Sequence, residues 1–177
     1  DETCYIINLT AEEARKVAAL TETDTARTAF EHSVSCIGAT VCQQGLCDSH
    51  GALARIAAFL KEQGADTRYL PKCHFSGCPS TCTVQSLAAL GFRGAFTLVN
   101  GERASAFQVY AGGSYAYGKE KISEPLALIA TARLPQFFLE LNRILLEAAQ
   151  PFTQWYPDHE EDFLALLKKY ACCLLYT

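Results

Sequence analysis

The chain has 177 residues, half of them hydrophobic, and a formal net charge of −4. This length bounds it to one domain, or one domain with a partial lobe, able to bury a sizeable core. The absence of a long basic block excludes general nucleic-acid binding, no apolar run is long enough to span a membrane, and no signal peptide is visible.

The predicted elements follow in chain order. Tyr5 to Leu9 reads as a short β-like run. Thr10, with Glu13 three residues on, forms a capping box, and Val17 and Leu20 carry a helix to about Leu20. A polar connection, "TETDTART", leads to "AFEHSV", which alternates weakly and reads as a strand entering Cys36. Asp48 or Ser49 caps a second helix whose stripe is Leu53, Ile56, Ala57 and Leu60, closed by Gly64. "RYLPKCHF" reads as a strand despite Pro71. A third helix is expected to begin near Cys82, run through Val84, Leu87 and Ala88, and stop at Gly91. "GAFTLVNGERASAFQVYAGG" is a β-hairpin whose loop includes Asn100 and Gly101. From about residue 133 the chain reads as helical. Pro135 suits a first turn before the stripe Phe137, Phe138, Leu141 and Leu145. Pro151 and Pro157 interrupt, and Asp158 with Glu161 opens a last helix carrying Phe163, Leu166, Leu167 and Tyr170. The fold class is a single α/β domain with a mixed sheet, a hairpin and C-terminal helices.

Nine cysteines are the informative feature. An odd count in a well-cored chain argues against a secreted disulfide framework and for a cytoplasmic protein. Two clusters stand out. Cys36 and Cys42 have five residues between them, with Cys47 following; Cys78 and Cys82 have three between them. A predicted helix separates the clusters, so the fold must bring two loops together. Two thiolates from each loop make four, the number that an iron–sulfur cubane needs. Zinc competes: Cys78 and Cys82 suit a zinc knuckle, Cys36 and Cys42 are too widely spaced, and His50 or His74 are possible substitutes. Gly38, Ala39, Gly77 and Pro79 keep bulk away from the sulfurs and leave room for backbone N–H groups to face an anionic cluster. The expected helix near Cys82 aims its positive end at the same charge. Cys47 and Cys73 read as small core residues. Cys4, Cys172 and Cys173 have no partner motif.

C-x5-C followed about 35 residues later by G-C-P-x-x-C resembles the 4Fe-4S and siroheme domain of the nitrite/sulfite reductase family. "CQQGLCDSHGAL", "LAALGFRGAF" and "VNGERASAFQVYAGGS" are similar to family segments in the same order, over residues 30–118. The resemblance implies that Cys36, Cys42, Cys78 and Cys82 hold a 4Fe-4S cluster and that the Cys82 sulfur is also the axial ligand of siroheme. Ser76, Gly77, Ser80, Thr81, Gly112 and Gly113 would line the siroheme. The implied activity is six-electron reduction of sulfite or nitrite, with an electron donor protein or reductase domain as partner; the alternative is an electron-transfer module with the cluster alone. The chain departs from the family in three ways. Only one α/β lobe is complete, spanning residues 31–177, and residues 1–30 resemble a remnant of a ferredoxin-like lobe. This implies missing N-terminal lobes or a second subunit, and a chain that is a piece of a longer one. The nearest basic residues, Lys72, Arg93, Arg103, Lys119 and Lys121, are scattered. Ser80 stands where the family often has Asn.

Overall fold

The structure is a computed structural model and describes residues 6–22 and 26–175. Thr10 caps the first helix, α1 (Ala11–Thr21), and the reciprocal bonds of a capping box are both present. α1 buries none of its residues. The expected strand before it is not formed: residues 6–10 are irregular, and Ile6 and Ile7 are exposed. A strand needs a neighbour's backbone to complete its ladder, and this segment pairs with none of the sheet. Tyr5 and Cys4 lie outside the described residues.

Six strands form one sheet in the order β1 (Val34–Ser35), β2 (Cys73–Ser76), β3 (Leu90–Val99), β4 (Glu102–Ala111), β5 (Pro125–Ala130) and β6 (Ala171–Leu174). β1, β2 and β3 run parallel; β3 to β6 are antiparallel neighbours. The sheet is mixed, as the sequence implies. The strand at "RYLPKCHF" is shorter than expected, because Pro71 offers no N–H and pairing begins at Cys73. Asn100 and Gly101, both at positive φ, make the two-residue hairpin turn. β5 and β6 were not apparent from the sequence. "PLALIA" and "ACCL" are short apolar runs without strong periodicity, and Pro125 is tolerated as a first strand residue.

α2 (Ser49–Glu62) is capped by Asp48, whose carboxylate accepts from Gly51 N at 2.8 Å, and Gly64 follows its end at φ +62°. Its buried face is Ser49, Ala52, Ile56 and Leu60; Ala57 is exposed. α3 (Leu134–Ala148) buries Phe137, Phe138, Leu141 and Leu145, as expected. α4 (Phe152–Trp155) is a single turn, and α5 (Glu160–Tyr170) buries Phe163, Leu166 and Leu167. His159, not Asp158, stands at the N-cap of α5, because the 3-10 turn containing Pro157 runs on through Asp158.

The third helix expected from Cys82 to Gly91 does not exist. One 3-10 turn, Gln85–Leu87, lies there, and Gly91 is already in β3. Thr81 and Val84 both sit at positive φ, which breaks a right-handed helix, and the Thr83 N–H bonds to Ser76 Oγ instead of entering a helical ladder. No helix dipole therefore acts at Cys82.

α2, α3 and α5 cover one face of the sheet. Phe75, Phe92 and Phe107 from the strands meet Phe138 from α3, with Phe75 and Phe92 stacked at 4.3 Å and 9°. Alternation along the strands sends His74, Ser76, Arg93, Gln108 and Tyr110 to the opposite face. Phe75→Ala removes a fully buried ring at the centre of this cluster. It is expected to cost about 3–5 kcal/mol, read as a lower denaturant midpoint in urea unfolding.

Candidate metal and cofactor site

The two cysteine loops leave the carboxyl ends of adjacent parallel strands. Residues 36–48 follow β1, and residues 77–84 follow β2. Parallel neighbours release their chains at the same edge of the sheet, so loops about 40 residues apart in sequence become neighbours. The first loop is wound on itself: Cys42 N–H donates to Gly38 O at 2.8 Å, Gly45 N–H to Cys42 O at 3.0 Å, and Ala39 N–H to Cys47 O at 3.0 Å. The Gly77 carbonyl then accepts two donors from that loop, Leu46 N–H at 3.1 Å and Cys47 N–H at 2.9 Å. The Gly77 N–H donates to Cys36 Sγ at 3.1 Å, and Cys36 N–H to Phe75 O at 2.9 Å.

Glycine makes this approach possible. A Cβ on Gly77 would stand 2.6 Å from Cys47 O, and one on Gly94 of β3 would stand 2.2 Å from Gly77 O. Gly77 thus presents its N–H to a cysteine sulfur, as its neighbours in the sequence suggest. Gly94 and Gly45 were not singled out from the sequence. The signal for Gly94 was a glycine inside a strand, which marks a close backbone approach.

All eight described cysteines are free thiols. Cys36 and Cys42 are half-buried, Cys78 is buried and Cys82 is exposed. Cys36 meets the residue that precedes Cys78. Among the described residues, no group of three or more His, Cys, Asp or Glu stands close enough to hold a metal ion. The loops are joined, and the four sulfurs are not gathered. Cys47 and Cys73 are buried, and burial pushes both thiols above their ordinary range, which keeps them protonated and suits small core residues. Cys172 and Cys173 lie on the edge strand β6, exposed, rather than at the tail of a helix.

The other expected site residues fall into two groups. Ser76, Gly77, Ser80 and Thr81 are in or beside the second cysteine loop. Ser76 Oγ bonds Thr83 Oγ1 at 2.8 Å, and the His74 ring bonds Thr83 O at 2.6 Å, so the segment after Cys82 is folded back over the second face of the sheet. Gly112 and Gly113 lie at the other end. Ala111 pairs with Leu90, which is level with Cys73, at the start of β2. Gly112 packs on Tyr156, Gly113 packs on Ser86 and Ala88, and both line a cleft of about 290 Å³ with Lys121 and Tyr156. The segment from Gly77 to Ala89 spans the distance between these two groups.

Of the basic candidates, Arg93 is the one held on the second face. It is in register with Ser76 and with Gln108. Its guanidinium donates to Gln108 Oε1 and lies 5.6 Å from the Tyr110 ring. Arg103 lies over Phe96 at 3.6 Å, while Lys119 and Lys121 are exposed. His50 is exposed, its ring near Ser35 Oγ; His74 Nε2 is buried with no partner among the described residues, and its ring faces Tyr115 at 6.1 Å. Exposed apolar side chains crowd the same loops: Ile37, Val41 and Leu46 in the first, Val84 in the second, and Tyr115 in the segment facing His74.

Three comparisons bear on this arrangement. No family model matches the chain. Over 115 residues, 65% of its length, the chain is 25% identical to a ferredoxin–nitrite reductase of Synechococcus elongatus, of which it spans 22%. The Mycobacterium tuberculosis NirA protein superposes on 89% of the chain with a TM-score of 0.67 and 17% identity, and 31% of that protein is covered. The chain therefore has a nitrite/sulfite reductase-like fold and spans less than a third of either protein.

The loop junction has its own test. Gly77→Ala places a methyl group against Cys47 O and is expected to destabilise the protein by roughly 1–3 kcal/mol. Hydrogen exchange at the Leu46 and Cys47 amides, both bonded to Gly77 O, should accelerate more than exchange at the hairpin amides of β3 and β4.

Proposed function

We propose that the chain is the cofactor-binding module of a sulfite or nitrite reductase and that Cys36, Cys42, Cys78 and Cys82 hold a 4Fe-4S cluster. The observation that carries this reading is the junction of the two cysteine loops, with the Gly77 N–H on the Cys36 sulfur. The donor set fits: four free thiols on two touching loops, one of them already accepting a backbone hydrogen bond of the kind that iron–sulfur ligands receive. In this reading the half-buried Cys42 and the exposed Cys82 would close on the metal as it binds.

The family resemblance implies that Cys82, which is exposed on the second loop, would hold siroheme as well as the cluster. When bound, the two cofactors supply one-electron steps to a small oxyanion. The chain's own residues orient and cover. Ser76, Gly77, Ser80 and Thr81 present small or polar groups beside Cys82. Arg93, held by the neutral Gln108 and stacked near Tyr110, offers a half-buried positive charge to an anion, either a siroheme carboxylate or the substrate. The exposed Ile37, Val41, Val84 and Tyr115 are suited to cover a macrocycle or an adjoining lobe. An electron donor protein or reductase domain, and the missing lobes or a second subunit, complete the enzyme. A reducing, cytoplasmic compartment suits the free thiols.

A second reading keeps the cluster and omits siroheme, making the module a one-electron relay. It is favoured by the placement of Gly112 and Gly113, which pack on Tyr156 and Ser86–Ala88 rather than beside Cys82.

Reconstitution of the full chain without oxygen, with iron, sulfide and siroheme, separates the two readings by visible absorption. A tetrapyrrole band together with iron and sulfide supports the reductase module; iron and sulfide alone support the relay; a chain that takes up neither defeats both. Cys36→Ser is expected to abolish iron uptake. Arg93→Gln is expected to leave iron and sulfide content unchanged and to weaken siroheme retention on gel filtration by roughly tenfold, the size of one charge-assisted hydrogen bond.

A further inference from the structure

Ser49, the first residue of α2, is fully buried and touches Cys36 twice. Its hydroxyl donates to Cys36 O at 3.0 Å and lies 3.1 Å from Cys36 Sγ. It has little freedom to move: a Cβ on Gly38 would stand 3.1 Å from Ser49 Oγ, and one on Gly77 would stand 3.2 Å from it. Two glycine backbones therefore wall the hydroxyl against the sulfur.

A serine hydroxyl has one hydrogen and two lone pairs. With Cys36 as a free thiol, S–H donates to Ser49 Oγ and Ser49 O–H donates to Cys36 O, so each hydrogen is used. A sulfur that ligates a metal has no hydrogen to give. If Ser49 still donated to the carbonyl, lone pairs would then face each other across 3.1 Å. Turning the hydroxyl about its Cβ–Oγ bond relieves this without moving a heavy atom, and Ser49 becomes a donor to the sulfur. Gly77 N–H supplies the second donor.

We propose that Ser49 is a positioning residue that donates a hydrogen bond to the Cys36 sulfur when that sulfur holds the cluster, and so sets the cluster's reduction potential. The proposal rests on the cluster reading above. Donors to cluster sulfurs favour the more negatively charged, reduced state, so two donors on one ligand raise the potential.

The test reconstitutes the full chain and Ser49→Ala with iron and sulfide in the absence of oxygen, measures both contents, and titrates the visible spectrum against potential. Ser49→Ala is expected to hold as much iron as the unsubstituted chain and to show a more negative midpoint. Its Fe–S stretching bands should also shift less on transfer to deuterated water, because one exchangeable donor is gone. Equal midpoints at equal iron content overturn the role of Ser49 and leave the cluster reading standing. Failure of the unsubstituted chain to take up iron overturns both. If Ser49→Ala does not fold, Ser49→Gly removes the same hydroxyl at a first helical position and gives the same comparison.

Discussion

The carbonyl of Gly77 is the point on which the candidate site depends. It accepts the N–H groups of both Leu46 and Cys47 of the first loop. The same peptide region turns its N–H toward Cys36. One residue therefore reads both ends of the first loop. This works only because β1 and β2 are parallel neighbours, so their carboxyl ends open at one edge, and because Gly77 and Gly94 have no side chains to hold the backbones apart. The local chemistry of two motifs is thus set by strand order and by the absence of two methyl groups.

The sheet divides its labour by face and by direction. On the helix side, Phe75, Phe92, Phe107 and Phe138 form a continuous aromatic cluster that fixes β2 between β3 and α3. On the other side, the alternate residues of the same strands are polar: His74 and Ser76 of β2, Arg93 of β3, Gln108 and Tyr110 of β4. Each strand residue that packs the core thus has a neighbour that faces the site. The parallel half places the loops, and the long antiparallel half anchors it through the ten-residue ladder between β3 and β4.

Much of this was legible in the sequence, because much of it is local. The capping box at Thr10, the cap at Asp48, the Asn100-Gly101 turn and the α3 stripe each depend on residues a few positions apart, and each formed where its pattern lies. What failed depends on partners. Ile6 and Ile7 look like a strand, but they pair with no strand of the sheet. "PLALIA" has no strong periodicity of its own, yet it pairs with β4 as β5. The segment after Cys82 has helical spacing at Val84, Leu87 and Ala88, yet the Thr83 amide and carbonyl are claimed by Ser76 and His74. That the two cysteine loops meet was expected from the two clusters; the four sulfurs themselves are not gathered among the described residues. Ser49 was visible only as a possible cap; its second contact, to Cys36, needed the fold.

The failed helix bears directly on the chemistry of Cys82. Thr81 and Val84, both β-branched, sit at φ +53° and +51°, a region that costs such residues on the order of 1–3 kcal/mol each. Nothing in the chain's local preference selects that conformation. It is held by tertiary bonds: Ser76 to Thr83 twice, His74 to Thr83, and Ser123 to Ser86. A helix from Cys82 would have given the sulfur a rigid mount and a positive dipole. Instead Cys82 is exposed in a strained turn whose next residue, Thr83, is tied back to Ser76 and His74. In the proposed reading, stabilisation of negative charge would fall to the Gly77 N–H and the Ser49 hydroxyl at Cys36 and to the Arg93 guanidinium on the second face, and not to a helix beginning at Cys82.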